Sequence, residues 1–279
     1  MEKIIHLTDT HLVAPPRRLY GLDPFARFRP AIDVINAQHG DASGVFITGD
    51  LTHWGEEEAY RALRVELERL TVPYHLVLGN HDQRGPFYAV FPELQQGDSG
   101  LLQYEVAIEH GICLMMDSVI DGTHAGAYDE ERLEWLKEKL ADHTNTDIFV
   151  FIHHPPFDLG MPAMDQLRLH EGSNRMSRLL RRHDRIRHLF FGHVHRPIAG
   201  SWNGIPVSSL FGTNHQIALD MSNPEDVGGS HEPPQLGVVL IDGGSVIVHM
   251  QNYSDKGPSF SLDAPEAEAA QSPEDLPPR

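Results

Sequence analysis

Residues 74–82, Tyr74-His75-Leu76-Val77-Leu78-Gly79-Asn80-His81-Asp82, read as a short apolar strand that runs straight into a polar turn. A turn uses Gly and Asn for its backbone, but has no need of the His-Asp pair that follows. The same pattern recurs at four other places. The apolar stretch 3–7 leads into Asp9 and His11, 45–48 into Gly49-Asp50, 148–152 into His153-His154-Pro155-Pro156, and 188–191 into Gly192-His193-Val194-His195. Taken singly, Gly49-Asp50 is an ordinary turn, and one histidine of the 153–154 pair could be a buried, hydrogen-bonded one. Jointly they put metal-type ligands at the C-terminal ends of five strands, the edge that lines the ligand crevice in open α/β sheets. An extended backbone over 192–195 would set His193 and His195 on one face, as a shared metal site requires.

Composition narrows the classes. The chain has 279 residues with 22 Lys+Arg against 40 Asp+Glu, a net charge of −18. Such a charge repels nucleic acid and anionic lipid, whose nonspecific binding runs on Lys and Arg. It leaves room for a small phosphorylated substrate at a locally opposed site. Apolar runs such as 148–152 fall far short of the ~20 residues of a membrane helix. One cysteine excludes a disulfide framework and a thiolate zinc cluster. No charged-then-apolar leader precedes the strand at 3–7, so a cytoplasmic location is expected. The 19 histidines are the outlying number, and histidine is both the commonest metal ligand and the physiological acid/base.

Further strands are expected over 103–108, 112–116, 198–202, 206–210, 237–241 and 246–251, and helices over 24–38, 56–70, 129–141 and 173–182. In the second helix Ala59, Ala62, Leu63, Leu67 and Leu70 follow the i, i+3, i+4 rule; in the third Leu133, Leu136 and Leu140 make the buried stripe under an Asp129 cap. The first half looks like βαβ units and the second like strands joined by tight turns. The expected fold class is α/β (α+β), a two-sheet core with helices outside and a small cap or loop insertion. Residues 1–254 are expected to form one catalytic domain. Within it, 220–235 reads as a long loop and 212–235 as a substrate-side or oligomerisation segment. The acidic, Pro-rich 255–279 reads as a disordered tail.

The ordered set of five motifs resembles the calcineurin-like metallophosphoesterase superfamily, over residues 3–195. The resemblance implies a β-sandwich flanked by helices with two divalent metals at the strand ends. Asp9, His11, Asp50 and His195 would bind the first, and Asp50, Asn80, His153 and His193 the second, with Asp50 bridging. Such donors suit Mn, Fe, Co or Zn. Two such metals lower the pKa of a shared water towards neutrality, and the resulting hydroxide attacks phosphorus in line. By the same resemblance His81 stabilises or protonates the leaving oxygen, with Asp82 orienting its ring.

The residues after Gly49-Asp50 choose among branches. Purple acid phosphatases carry a Tyr where His53 stands, and Ser/Thr phosphatases an Asp-Arg-Gly that is absent. Thr48-Gly49-Asp50-Leu51-Thr52, followed by Gly55, Glu56 and Tyr60, is similar to class III cyclic-nucleotide phosphodiesterases and bacterial glycerophosphodiesterases. The expected substrate is thus a small phosphodiester, contacted by Asn80, His81 and His215 of the Gly212-Thr213-Asn214-His215-Gln216 stretch. Arg17, Arg18, Arg84 and Arg168 are candidate phosphate contacts, and a homo-oligomer is expected. Two alternatives stand behind this. Gly-Asp-x-x-His (Gly49 to His53) also occurs in repair nucleases of the superfamily, disfavoured here for want of a basic stripe. A non-catalytic, metal-bound scaffold is the other, disfavoured by the complete ligand set.

Overall fold

Side chains alternate between two faces along a strand, and in this chain each face finds its own core. In the strand Ile148–Ile152, Phe149 and Phe151 join one hydrophobic cluster while Ile148, Val150 and Ile152 join another. Both faces are thus covered, as expected of strands in a parallel sheet. The computed structural model describes residues 1–95, 99–254 and 261–262; the expected tail, 261–262 apart, lies outside them.

The chain opens with β1 (Glu2–Leu7), α1 (Pro24–Gln38), β2 (Val45–Thr48), α2 (Glu57–Leu67), β3 (Tyr74–Val77) and α3 (Arg84–Val90). The hairpin β4 (Tyr104–Ile108) and β5 (Gly111–Met116) follows, then β6 (Gly126–Ala127), α4 (Glu130–Asp142) and β7 (Ile148–Ile152). Next come α5 (Pro162–Asp165), β8 (Leu169–Glu171), α6 (Ser173–Arg181), β9 (Ile186–Phe191), β10 (Ile198–Trp202) and β11 (Ile205–Ser209). The short β12 (Gln216–Ile217) and β13 (Gly229–Ser230) precede the final pair, β14 (Gln235–Ile241) and β15 (Val246–Asn252). One sheet has the order β15-β14-β1-β2-β3, the other β10-β11-β9-β7-β5-β4. In the first, β1, β2 and β3 are parallel; in the second, β5, β7, β9 and β11 are.

Stacked phenyl rings tie the layers together. Phe46 of β2 lies 4.6 Å from Phe151 of β7, which lies 4.7 Å from Phe190 of β9. Helices cover the outer faces: Phe28, Ile32 and Ile35 of α1 and Tyr60 and Leu63 of α2 on one side, Leu133 and Leu136 of α4 and Met176 and Leu180 of α6 on the other. The expected two-sheet core flanked by helices is the fold. The Asp23 carboxylate caps α1 by accepting from the amides of Phe25 and Ala26, and Asp129 caps α4 through the Arg132 amide.

Two expectations change. The second helix stops at Leu67, its expected last turn tightening into Arg69 N–H to Glu66 and Leu70 N–H to Leu67 bonds. Residues 220–235 are not all loop: Gly229 and Ser230 pair with Ile217 and Gln216, and Gln235 already belongs to β14. That pairing is short and lacks alternation, so it leaves no sequence signal.

Candidate metal centre

Parallel strands that end at one edge must turn sharply there, and the chain turns on the candidate ligands themselves. Asp9, His11, Asp50, His193 and His195 all have positive φ, between 43° and 71°. Asp and His are among the few non-glycine types enriched in this left-handed region, which costs about 1–2 kcal/mol per residue. The expected extended backbone over 192–195 is therefore absent. Buried Val194 drives into the core, and the flanking histidines go to different groups.

The first group is Asp9, His11, Asp50 and His195, all buried, with one donor atom each within 4.8 Å of the others. His195 Nδ1 donates to the His215 carbonyl at 2.9 Å, leaving Nε2 a lone pair. That lone pair faces His11 Nε2 at 3.0 Å and Asp9 Oδ1 at 3.4 Å. His11 Nε2 lies 3.3 Å from Asp50 Oδ2. The second group has the same character. His153 Nδ1 donates to the Thr48 carbonyl at 2.7 Å, so its Nε2 meets two oxygens, Asn80 Oδ1 at 3.1 Å and Asp50 Oδ1 at 3.5 Å. His193 Nδ1 stands 2.9 Å from the same Asn80 oxygen, and its Nε2 is buried without a partner. Acceptors converging on acceptors repel unless a cation lies among them, so the donor set fits a pair of divalent metals. Asp50 turns one oxygen to each group.

The electrostatics agree. Burial works to neutralise Asp50, but the imidazoles of His153, His81 and His11 hold its carboxyl well below the usual carboxylate range. Burial opposes a charged His153, yet the carboxylates of Asp50 and Asp9 raise its pKa to about 9. Positive charge is favoured between them. His11 and His193 are pushed well down by burial, towards the neutral imidazole that a metal ligand must be.

His81 stands beside both groups. Its amide donates to Asp50 Oδ1 at 2.9 Å, and its Nδ1 donates to the His53 carbonyl at 2.9 Å. The expectation that Asp82 orients this ring is corrected. The buried Asp82 carboxylate instead accepts from the amides of Leu51, Thr52 and Gly79 and from the Tyr60 hydroxyl, with no bond to His81. It ties the turn after β2 to the turn after β3. With the Thr52 hydroxyl, five neutral donors use its lone pairs, which makes its role structural.

A cavity of about 540 Å³ opens over the ligands, walled by Tyr20, Met164, Leu167, Ile217 and Val227. His215 belongs to it, its ring 4.9 Å from that of His11 and 4.6 Å from that of Tyr20. A second, more polar cavity of about 620 Å³ lies on the other side of His81. Of the candidate arginines, Arg84 lines the second cavity beside Asn80 and His81, and none lines the first. Arg17 pairs with Glu56, Arg84 with Asp117 and Asp121, and Arg168 with Asp158. Among the described residues no Lys or Arg lines the first cavity; Arg17, Arg84 and Arg168 are each paired with a nearby carboxylate, a pairing no spacing reveals.

Sequence reasoning missed the segment after β5. His124 reaches Asn80 of the second group from there and Ser118 reaches the adjacent His154, and the signal was available, since β5 is parallel to β7 and ends at the same edge.

The fold and this ligand set define a class: the chain belongs to the calcineurin-like phosphoesterase family, whose model matches residues 2–197. Among its relatives is a probable cyclic nucleotide phosphodiesterase of Rhodopseudomonas palustris, 39% identical over 93% of this chain and 96% of that one. Another is a probable glycerophosphodiester phosphodiesterase, GpdQ, of Arcobacter nitrofigilis, 30% identical over 84% and 86%. A solved dimetal phosphatase from Danio rerio shares the fold, with a TM-score of 0.65 at 15% identity over 91% of this chain and 97% of that one. No helix among the described residues is long and apolar enough to cross a membrane.

Proposed function

We propose that residues 1–254 act as one catalytic unit that hydrolyses a small phosphoric diester, a cyclic nucleotide or a glycerophosphodiester, at a pair of divalent cations. The reaction class, hydrolysis of a phosphoric diester, follows from the family and from relatives named as phosphodiesterases. One observation carries the two-cation reading: Asp50 offers Oδ2 to the group of His11 and Oδ1 to the group of His153.

Asp9, His11, Asp50 and His195 would hold one cation, and Asp50, Asn80, His153 and His193 the other, as Mn, Fe, Co or Zn. Bound there, the cations supply Lewis acidity to a phosphoryl oxygen and a nucleophilic water at neutral pH. The neutral Asn80 makes its position the looser one. His81 keeps its Nδ1 proton on the His53 carbonyl, so Nε2 is the atom that hands a proton to the departing alkoxide. His215 and Tyr20 flank the substrate from the cavity side. With no Lys or Arg among the described residues on that wall, the phosphate would be held by the cations rather than by side-chain charge. A cavity of about 540 Å³ suits a small diester, and the net charge of −18 disfavours a polyanion. We read the protein as a cytoplasmic homo-oligomer; exposed Leu219 and Met221 in the 212–235 segment support the assembly.

The test is one manganese-loaded panel: bis-p-nitrophenyl phosphate, 3′,5′- and 2′,3′-cyclic nucleotides and glycerophosphocholine. Turnover of the aryl diester and of at least one natural diester is expected. No hydrolysis of any member overturns the reading.

A further inference from the structure

His154 and His124 have no place in the ligand set, although each sits against it. His154 is fully buried, its ring perpendicular to that of His153 at 4.8 Å. Geometrically it belongs to a cluster that could ligate, with His153 and His193. Its hydrogen bonds show otherwise. Nδ1 accepts from the Ser118 hydroxyl at 2.8 Å, and Nε2 donates to the His124 carbonyl at 3.2 Å. Both nitrogens are spent on the segment between β5 and β6. That segment passes so close that a Cβ on Gly126 would lie 2.6 Å from His154 Cγ.

His124, held by its carbonyl, turns its own ring toward the site. Its Nδ1 accepts from the Asn80 Nδ2 amide at 2.8 Å, and its ring lies 5.1 Å from that of His81. With the amide nitrogen fixed, the Asn80 oxygen is left facing His193 Nδ1 at 2.9 Å and His153 Nε2 at 3.1 Å. An asparagine without this bond can rotate its carboxamide and present N–H donors to the same point, which turns attraction for a cation into repulsion.

We propose that His154, Ser118 and His124 form a brace that aims the Asn80 carboxamide, and that this brace sets the affinity of the second cation position independently of the first. The proposal rests on the two-cation reading. His124 and His154 are positioning residues: outer partners of a ligand commonly change metal affinity by about 10–100-fold when removed. Asn80 needs such help where the carboxylate ligands do not, because carboxylates present oxygen whichever way they turn, and the imidazoles of His153 and His195 are fixed by carbonyls of their own.

The experiment is a manganese titration of chelator-stripped protein, following free Mn by electron paramagnetic resonance, on the wild type, His124→Ala, His124→Gln and Ser118→Ala. Exposed His124 can be removed without opening a core, and a glutamine carbonyl can still accept from the Asn80 amide. Expected are two affinities in the wild type, the weaker reduced about 10–100-fold in His124→Ala, the tighter unchanged, and most of the loss restored in His124→Gln. A smaller weakening of the same site is expected in Ser118→Ala. Equal loss at both sites, or an unchanged weak site in His124→Ala, overturns the brace and leaves the two-cation reading standing. A wild type that binds fewer than two Mn overturns both.

Discussion

Five of the proposed ligands adopt a left-handed backbone, and only a few residue types tolerate it. Asp and His do so while also offering a donor atom, so one residue makes the turn and can serve as a ligand. Strain of this kind is kept where the surroundings over-determine it, and each of these turns is hydrogen-bonded to its neighbour, as in His11 N–H to the Asp50 carbonyl. The adjacent residues His81 and Asp82 divide chemistry from structure. Asp82→Asn places an N–H₂ among donors from Leu51, Thr52, Gly79 and Tyr60, and should cost about 2–4 kcal/mol by denaturant unfolding. His81→Ala should leave stability within about 1 kcal/mol and lower kcat by roughly 10²–10⁴-fold, less for p-nitrophenolate than for an alkoxide leaving group. Equal losses of stability would refute the division.

At the scale of elements, the strand ends were legible because a strand needs only a short apolar run, and the polar cluster after it stands out. The strands 45–48, 148–152 and 198–202 and the helix 24–38 occur as read, and the others are shifted by a few residues at their ends. What could not be read is what side chains do after the turn: that Asp82 serves the backbone, or that Arg84 pairs with Asp117 across the fold. Nor does a single sequence say which glycine is indispensable. Gly79 is: a Cβ there would lie 2.2 Å from Asp50 Oδ1 and 2.7 Å from His153 Cε1. Gly79→Ala should therefore displace the Asp50 carboxylate, proposed as the bridge, lowering Mn affinity at both positions and destabilising the fold by about 1–3 kcal/mol. Retained affinity for both ions, measured by calorimetry, would show that the turn can yield.

Over the whole molecule, the two sheets bury more histidine than the metal centre uses. His6 bonds Thr48 Oγ1 and His188 bonds Ser208 Oγ, each at 2.8 Å. Burial, with the neighbouring His188, lowers His6 to about 3, and burial lowers His188 to about 4. Their folded pKa values lie below the unfolded value of about 6.5, so the unfolded chain takes up protons first as pH falls. The stability from keeping them neutral is complete above about pH 6.5 and is lost progressively down to about pH 4 for His188 and about pH 3 for His6. At pH 5 the cost is about 2 kcal/mol for each taken alone. Melting temperature should thus drop from pH 7 to pH 5, and His6→Gln should flatten that drop; an equal slope in the variant would place the acid sensitivity elsewhere. The catalytic assignment turns on a more direct quantity, the number of divalent ions held per chain. Chelator-stripped protein dialysed against manganese and assayed by atomic emission should carry two Mn per chain in the wild type and fewer than two in Asp50→Ala. A wild type that saturates at one Mn or none would contradict the shared role of Asp50.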